Sequence, residues 1–171
     1  MSLIGDPGGA NVLAFAKNIT GTYYGIEISD ENLEECYFRA TKNNIKNFKG
    51  ILININNPEN VYTKIKKCNL FICTEVFPYF PHKDYAERIT KIASNLLMKD
   101  GIALLHVLLK EKRRSFRFHI GSYNSQVYTN TTFTYEEYIE ILKRCNLKLL
   151  YVTRDTRDTV GTFSYFHVLK Q

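Results

Sequence analysis

The stretch from Leu3 to Ser29 constrains the fold more than any other part of the chain. Ile4-Gly5-Asp6-Pro7-Gly8-Gly9-Ala10-Asn11 is a glycine-rich turn that runs straight into an apolar helical segment, Val12 to Lys17. After a break at Thr20-Gly21, the β-prone run Thr22 to Ile26 ends in Glu27. The order is therefore strand, turn, helix, strand, acid. A glycine turn lets backbone N–H groups approach a ligand closely, with a helix N-terminus behind them. A carboxylate at the tip of the next strand can accept hydrogen bonds from ribose hydroxyls. Glu27 follows Gly9 by 18 residues, near the roughly 20 expected of a nucleoside-binding unit. The plain alternative is a tight strand–helix turn that binds nothing.

The rest of the chain continues the alternation. Ser29 is placed to cap a helix with Asp30 and Glu31 in its first turn, and Leu33, Cys36, Tyr37 and Ala40 repeat on one face until Asn43-Asn44. Gly50 to Ile53 is a short apolar run, which between helices marks a parallel strand buried on both faces. Pro58 to Lys67 reads as helical, with Pro58 in the first turn. Asn69 to Thr74 is another buried strand, and Glu75 to His82 a loop. Asp84 is expected to cap a helix whose face is Tyr85, Ile89, Ile92, Ala93, Leu96 and Leu97, stopped by Asp100-Gly101. Ile102 to Leu109 is a long apolar strand. Thr134-x-x-Glu137 is a capping box, with Phe133 and Tyr138 placed as a hydrophobic staple and Tyr138, Ile141, Leu142 and Cys145 as the helix's buried face. Leu147 to Val152 and Thr162 to Leu169 are strands, the last pairing back antiparallel. The pattern predicts an α/β fold, a doubly wound and mostly parallel sheet with an antiparallel C-terminal strand. Residues 1–171 read as one domain, and 110–132 as a hairpin or lid on the substrate side.

Composition narrows the class. No apolar run is long enough to span a bilayer, and no basic-then-apolar start marks a secretory signal. Cys36, Cys68, Cys73 and Cys145 form no C-x-x-C pair, which predicts reduced, mostly buried thiols in a cytoplasmic protein and no metal site. The net charge of +6 favours an anionic partner without identifying a nucleic-acid binder.

The chain resembles the class I S-adenosylmethionine-dependent methyltransferases. In the first motif of that family an acid and any one residue are followed by Gly-x-Gly-x-Gly. Gly5 and Gly9 fall on the first and third glycines, and Asn11, Leu13, Ala14, Ala16 and Lys17 suit the segment that the family carries after the glycines. Two positions depart: Pro7 replaces the middle glycine, and Leu3 stands where the acid belongs. Asn69 to Pro81 resembles the fourth-strand motif, Met98 to Leu104 the approach to strand five, and Thr132-Phe133-Thr134 the opening of the late helix. The helix that precedes the first strand in many members has no counterpart in this sequence. The resemblance implies a Rossmann-like sheet of seven strands, with the last inserted between the fifth and sixth.

It also implies a site. Gly5, Asp6, Gly8 and Gly9 would face the methionine and ribose of S-adenosylmethionine, with Glu27 on the ribose hydroxyls and Ile28 beside the adenine. Asn54 would meet the adenine amino group, or else serve only as a turn residue, and Thr74 and Glu75 would stand at the methionine end. Among the histidines, His82 and His119 lie in connecting segments and are candidate proton acceptors, whereas His106, inside an apolar strand, reads as a core residue. Tyr79, Phe80 and Tyr123 could wall an acceptor pocket. The basic run Lys110 to Arg117, with Arg113 and Arg117, could meet an anionic acceptor, bind nucleic acid through its interleaved aromatics, or be a solvated surface.

The leading expectation is methyl transfer to O or N of a soluble small or medium-sized acceptor, with sugar- or nucleotide-like acceptors included. Nucleic acid is a less favoured partner, and no membrane partner is expected. Two rivals stay open: a methyltransferase-like domain that only binds or scaffolds, and an NAD-type oxidoreductase, which shares the strand–turn–helix–strand–acid order.

Overall fold

A computed structural model describes residues 3–5, 16–18, 21–110, 131–154 and 162–171. Its seven strands are β1 (Leu3–Gly5), β2 (Tyr23–Glu27), β3 (Phe48–Leu52), β4 (Cys68–Cys73), β5 (Leu97–Leu109), β6 (Leu147–Arg154) and β7 (Thr162–Lys170). They form one sheet in the order β3-β2-β1-β4-β5-β7-β6. Strands β1 to β5 pair in parallel, and β7 runs antiparallel to both β5 and β6. The expected doubly wound sheet is therefore present, with its last strand inserted between the fifth and sixth.

Helices cover both faces. Helix α1 (Asp30–Lys42) is capped by Ser29, whose hydroxyl accepts the Asn32 amide. On that side Tyr23, Ala40, Ile45 and Ile72 form a small core. On the other side, α2 (Lys83–Leu96) and α3 (Tyr135–Arg144) pack on a larger core that includes Phe71, Ala103, Leu105, Val107, Phe166 and Val168. The capping box of α3 is complete, and its staple is closed, with Phe133 and Tyr138 ring centroids 5.3 Å apart. Ion pairs Lys83–Glu137 and Arg144–Glu87 tie α2 and α3 together at the rim.

Four local expectations need correction. The segment after β3 is a 3₁₀ turn over Pro58–Thr63 rather than a helix to Lys67, because its amides close i→i+3 bonds such as Lys64 N–H to the Val61 carbonyl. The third strand occupies Phe48–Leu52, earlier than Gly50 to Ile53, because β2 pairs with it from Tyr23–Phe48 onward, and as the edge strand it is part-exposed rather than buried on both faces. His82, not Asp84, caps α2: its Nδ1 accepts the Tyr85 amide at 3.2 Å, and Asp84 sits inside the first turn. Leu97 is not on the helix face. It is the first residue of β5, pairs with Cys68 and is buried there. Asp100, at φ 62°, then makes the kink that Gly101 accommodates, since a Cβ on Gly101 would lie 2.9 Å from the Met98 carbonyl oxygen.

Among the described residues no helix is long and apolar enough to cross a membrane. All four cysteines are buried, and none is in a disulfide.

Candidate active site

Strand order reverses between β1 and β4, and ligands in open α/β sheets bind at the carboxyl ends of the strands beside such a switch. A cavity of about 300 Å³ opens there. Its outer wall comes from the ends of β2 and β3, with Glu27, Ile28, Ile53 and Ile55. The facing wall comes from the segment after β4, with Val76, Tyr79 and Phe80. Its rim is apolar and open to solvent: Tyr79 is 70% exposed, Ile28 55% and Ile55 47%. An apolar rim around one carboxylate is the composition expected of a site for a flat apolar group joined to a polar one.

Local chemistry positions each wall. The Glu27 carbonyl accepts the Ile53 amide at 2.8 Å, which extends the β2–β3 pairing one step to the cavity mouth. The Glu27 carboxylate is turned back by the Ile28 amide, 3.2 Å from Oε2. Asn54 then closes a tight turn: its Oδ1 accepts the Asn56 amide at 2.8 Å and its carbonyl the Asn57 amide at 3.0 Å. That turn brings Ile55 into the wall. Across the cleft, Phe80 is buried against Phe77 and Tyr85 at 5.0 and 5.1 Å. Its carbonyl accepts the Thr131 hydroxyl at 2.6 Å, and the Pro78 carbonyl accepts the Thr131 amide at 2.9 Å. No group of acids, histidines and cysteines among the described residues could hold a metal.

A model of the methyltransferase domain family matches residues 7–143. The chain belongs to that family. No curated protein matches it in sequence. Solved structures resemble this methyltransferase over nearly its whole length. The magnesium protoporphyrin IX methyltransferase of Synechocystis with bound SAH is 13% identical, with a TM-score of 0.76 over all of this chain and 74% of its own. An S-adenosylmethionine-dependent methyltransferase from Clostridium acetobutylicum is 13% identical, with a TM-score of 0.73 over 99% of this chain and 83% of its own. The 4+2 cyclase SpnF is 10% identical, with a TM-score of 0.73 over 99% of this chain and 73% of its own. Likeness at this level establishes the fold, and the cyclase is a reminder that the fold alone does not name the reaction.

S-adenosylmethionine is the methyl donor of the family, and the cleft of this methyltransferase fits it. An apolar slot suits a purine, and Glu27 at the slot's edge suits a ribose diol. Of the residues named from sequence, the structure gathers Glu27, Ile28, Tyr79 and Phe80 around one cavity. Gly5 ends β1, in register with Gly25. Thr74 and Glu75 follow directly on β4. Asn54 stands beside the cavity with its amide oxygen engaged in the turn. His82 is outside the cavity wall, with Nδ1 committed to the α2 cap. Asp6, Gly8, Gly9, Arg113, Arg117, His119 and Tyr123 lie outside the described residues, as does most of the 110–132 segment.

Sequence reasoning misses Ile53, Ile55 and Val76 in the cavity wall, and the contact that His106 makes with the segment after β4. Ile55 is a lone apolar residue among asparagines, a signal that could have been read. Val76 comes directly after Glu75 in the loop beyond β4, and nothing in its spacing marks it. His106 reads as core and is buried, yet its Nδ1 accepts the Glu75 amide at 3.1 Å.

Proposed function

We propose that the protein transfers a methyl group from S-adenosylmethionine to an oxygen or nitrogen of a soluble, small or medium-sized acceptor. The observation that carries this reading is Glu27, an acid at the tip of β2 on the mouth of an apolar cavity, in a sheet of this strand order.

The bound donor supplies a sulfonium methyl as the electrophile. The protein's part is to hold, orient and exclude water. Glu27 accepts from the ribose hydroxyls, kept at the mouth by the Ile28 amide. Ile28 and Ile55 flank the adenine, and Asn54 keeps a second lone pair of its Oδ1 for the adenine amino group. Gly5 and the turn after it, with Asp6, Gly8 and Gly9, lie along the methionine, and Thr74 and Glu75 meet its far end. Tyr79 and Phe80 wall the acceptor side. His119 takes the acceptor's proton where the chemistry needs it. His82 is the weaker candidate, because its Nδ1 is held by the Tyr85 amide. Arg113 and Arg117, with Tyr123, contact an anionic group on the acceptor, in keeping with the net charge of +6.

An NAD-type oxidoreductase is less consistent with the antiparallel β7 between β5 and β6, because dinucleotide folds of the 3-2-1-4-5-6 order carry no such strand. Calorimetric titration of the protein with S-adenosylmethionine, S-adenosylhomocysteine and NAD separates the readings without an acceptor in hand. The expected result is binding of the first two and not of NAD. Binding of none would favour a scaffold, and binding of NAD alone would favour the oxidoreductase.

A further inference from the structure

The turn beyond β4 is held by a side chain rather than by the sheet. The last registered pair between β4 and β5 is Cys73 with Leu105. The next β5 residue is His106, buried with 2% of its surface exposed. Where the ladder would continue, the Glu75 amide instead donates to His106 Nδ1 at 3.1 Å. Glu75 adopts φ 60°, the left-handed region that a non-glycine side chain occupies only when its surroundings hold it there. Val76 follows directly and Tyr79 ends the 3₁₀ turn Phe77–Tyr79 after it, and both belong to the cavity wall. The imidazole cannot easily swing away, since it lies flat on Tyr165 of β7, with centroids 4.2 Å and planes 11° apart.

We infer that His106 is a positioning residue of the cleft: its Nδ1 grips the Glu75 amide, fixes the left-handed turn after β4 and so sets where Val76 and Tyr79 stand. Its value for donor binding rests on the reading of the cleft given above; the grip itself does not. Accepting at Nδ1 requires the neutral ring with its proton on Nε2. A histidine kept only for packing would carry no such requirement.

Two substitutions separate packing from grip. His106→Phe keeps a ring against Tyr165 and removes the acceptor. His106→Asn places an amide oxygen near the position of Nδ1 and gives up the ring. Three quantities are read: the ring tautomer from imidazole nitrogen shifts, hydrogen exchange of the Glu75 amide in the free protein, and calorimetric affinity for S-adenosylhomocysteine. The wild type should show the Nε2–H tautomer and a protected Glu75 amide. His106→Phe should exchange that amide about tenfold faster and bind about three- to tenfold more weakly, while His106→Asn retains most of both. Unchanged Glu75 protection in His106→Phe overturns the inference, and so does an Nδ1–H tautomer in the wild type, a test that stands even if His106→Phe fails to fold. If the wild type binds no S-adenosylhomocysteine, the donor reading fails, and Glu75 exchange still decides whether His106 holds the turn.

Discussion

Replacing Glu27 probes the donor site with the least disturbance to the fold. The residue ends β2, is half-buried, and has its carboxylate oriented by the Ile28 amide at 3.2 Å. Hydrogen bonds to a charged group are worth about 1.5–3 kcal/mol. Losing the carboxylate in Glu27→Ala should therefore weaken S-adenosylhomocysteine roughly ten- to hundredfold. Glu27→Gln is the finer instrument. Its amide oxygen can still accept the Ile28 amide, but its nitrogen cannot accept a ribose hydroxyl, so the expected loss is only about three- to tenfold. Neither variant removes core volume, and the change in stability should stay within about 0.5 kcal/mol, or roughly 2 °C in Tm. Titration calorimetry at fixed salt measures affinity, and a thermal melt of the same samples measures Tm. Equal affinity for all three proteins would remove Glu27 from the site. An affinity loss that tracks a fall in Tm would assign Glu27 to the fold instead.

Three further outcomes rest on the packing. Thr134→Ala deletes the hydroxyl that accepts the Glu137 amide at 3.2 Å, which should cost about 1 kcal/mol and lower Tm by roughly 2–4 °C, and an unchanged melt would contradict the cap. Cys68 is buried and its thiol pushed up to about 12, and burial likewise raises Cys145. A thiol reagent at about pH 8 should therefore label none of the cysteines until the protein unfolds, and rapid native labelling would contradict the packing. Glu59, Glu87 and Glu137 are held below their ordinary value of 4.5, chiefly by side-chain hydrogen bonds to Arg88, Arg144 and Lys83. A depressed folded value means stability that is full above 4.5 and lost as pH falls through the lower folded values. These groups are largely exposed, so each contributes little, and Tm should stay level down to about pH 5 and decline below it. A Tm that rises on acidification would reverse the sign.

Much of this fold is legible because its signals are local. The cap at Ser29, the capping box at Thr134 and the alternating faces of β7 each depend on residues close in sequence. The errors fall where a distant partner decides. Leu97 satisfies a helical period, but pairing with Cys68 claims it for β5. His82 wins the α2 cap from Asp84 because its ring nitrogen reaches the Tyr85 amide. The site divides along the same line. Glu27 is read from a strand end, Ile28 from the family resemblance, and Tyr79 and Phe80 from an aromatic loop. Ile55 enters the wall only through the Asn54 turn, and His106 takes its place by reaching across from β5 to a backbone amide on the segment after β4. No periodicity along one strand announces a bond to the next.

Hydrogen exchange of the intact protein, with and without saturating S-adenosylhomocysteine, locates the donor without altering a residue. Slowed exchange is expected at residues 26–28, 53–55 and 73–80, the two walls of the cavity. Protection confined to β6 and β7, or none at any of these segments despite measurable binding, would place the donor outside this cleft.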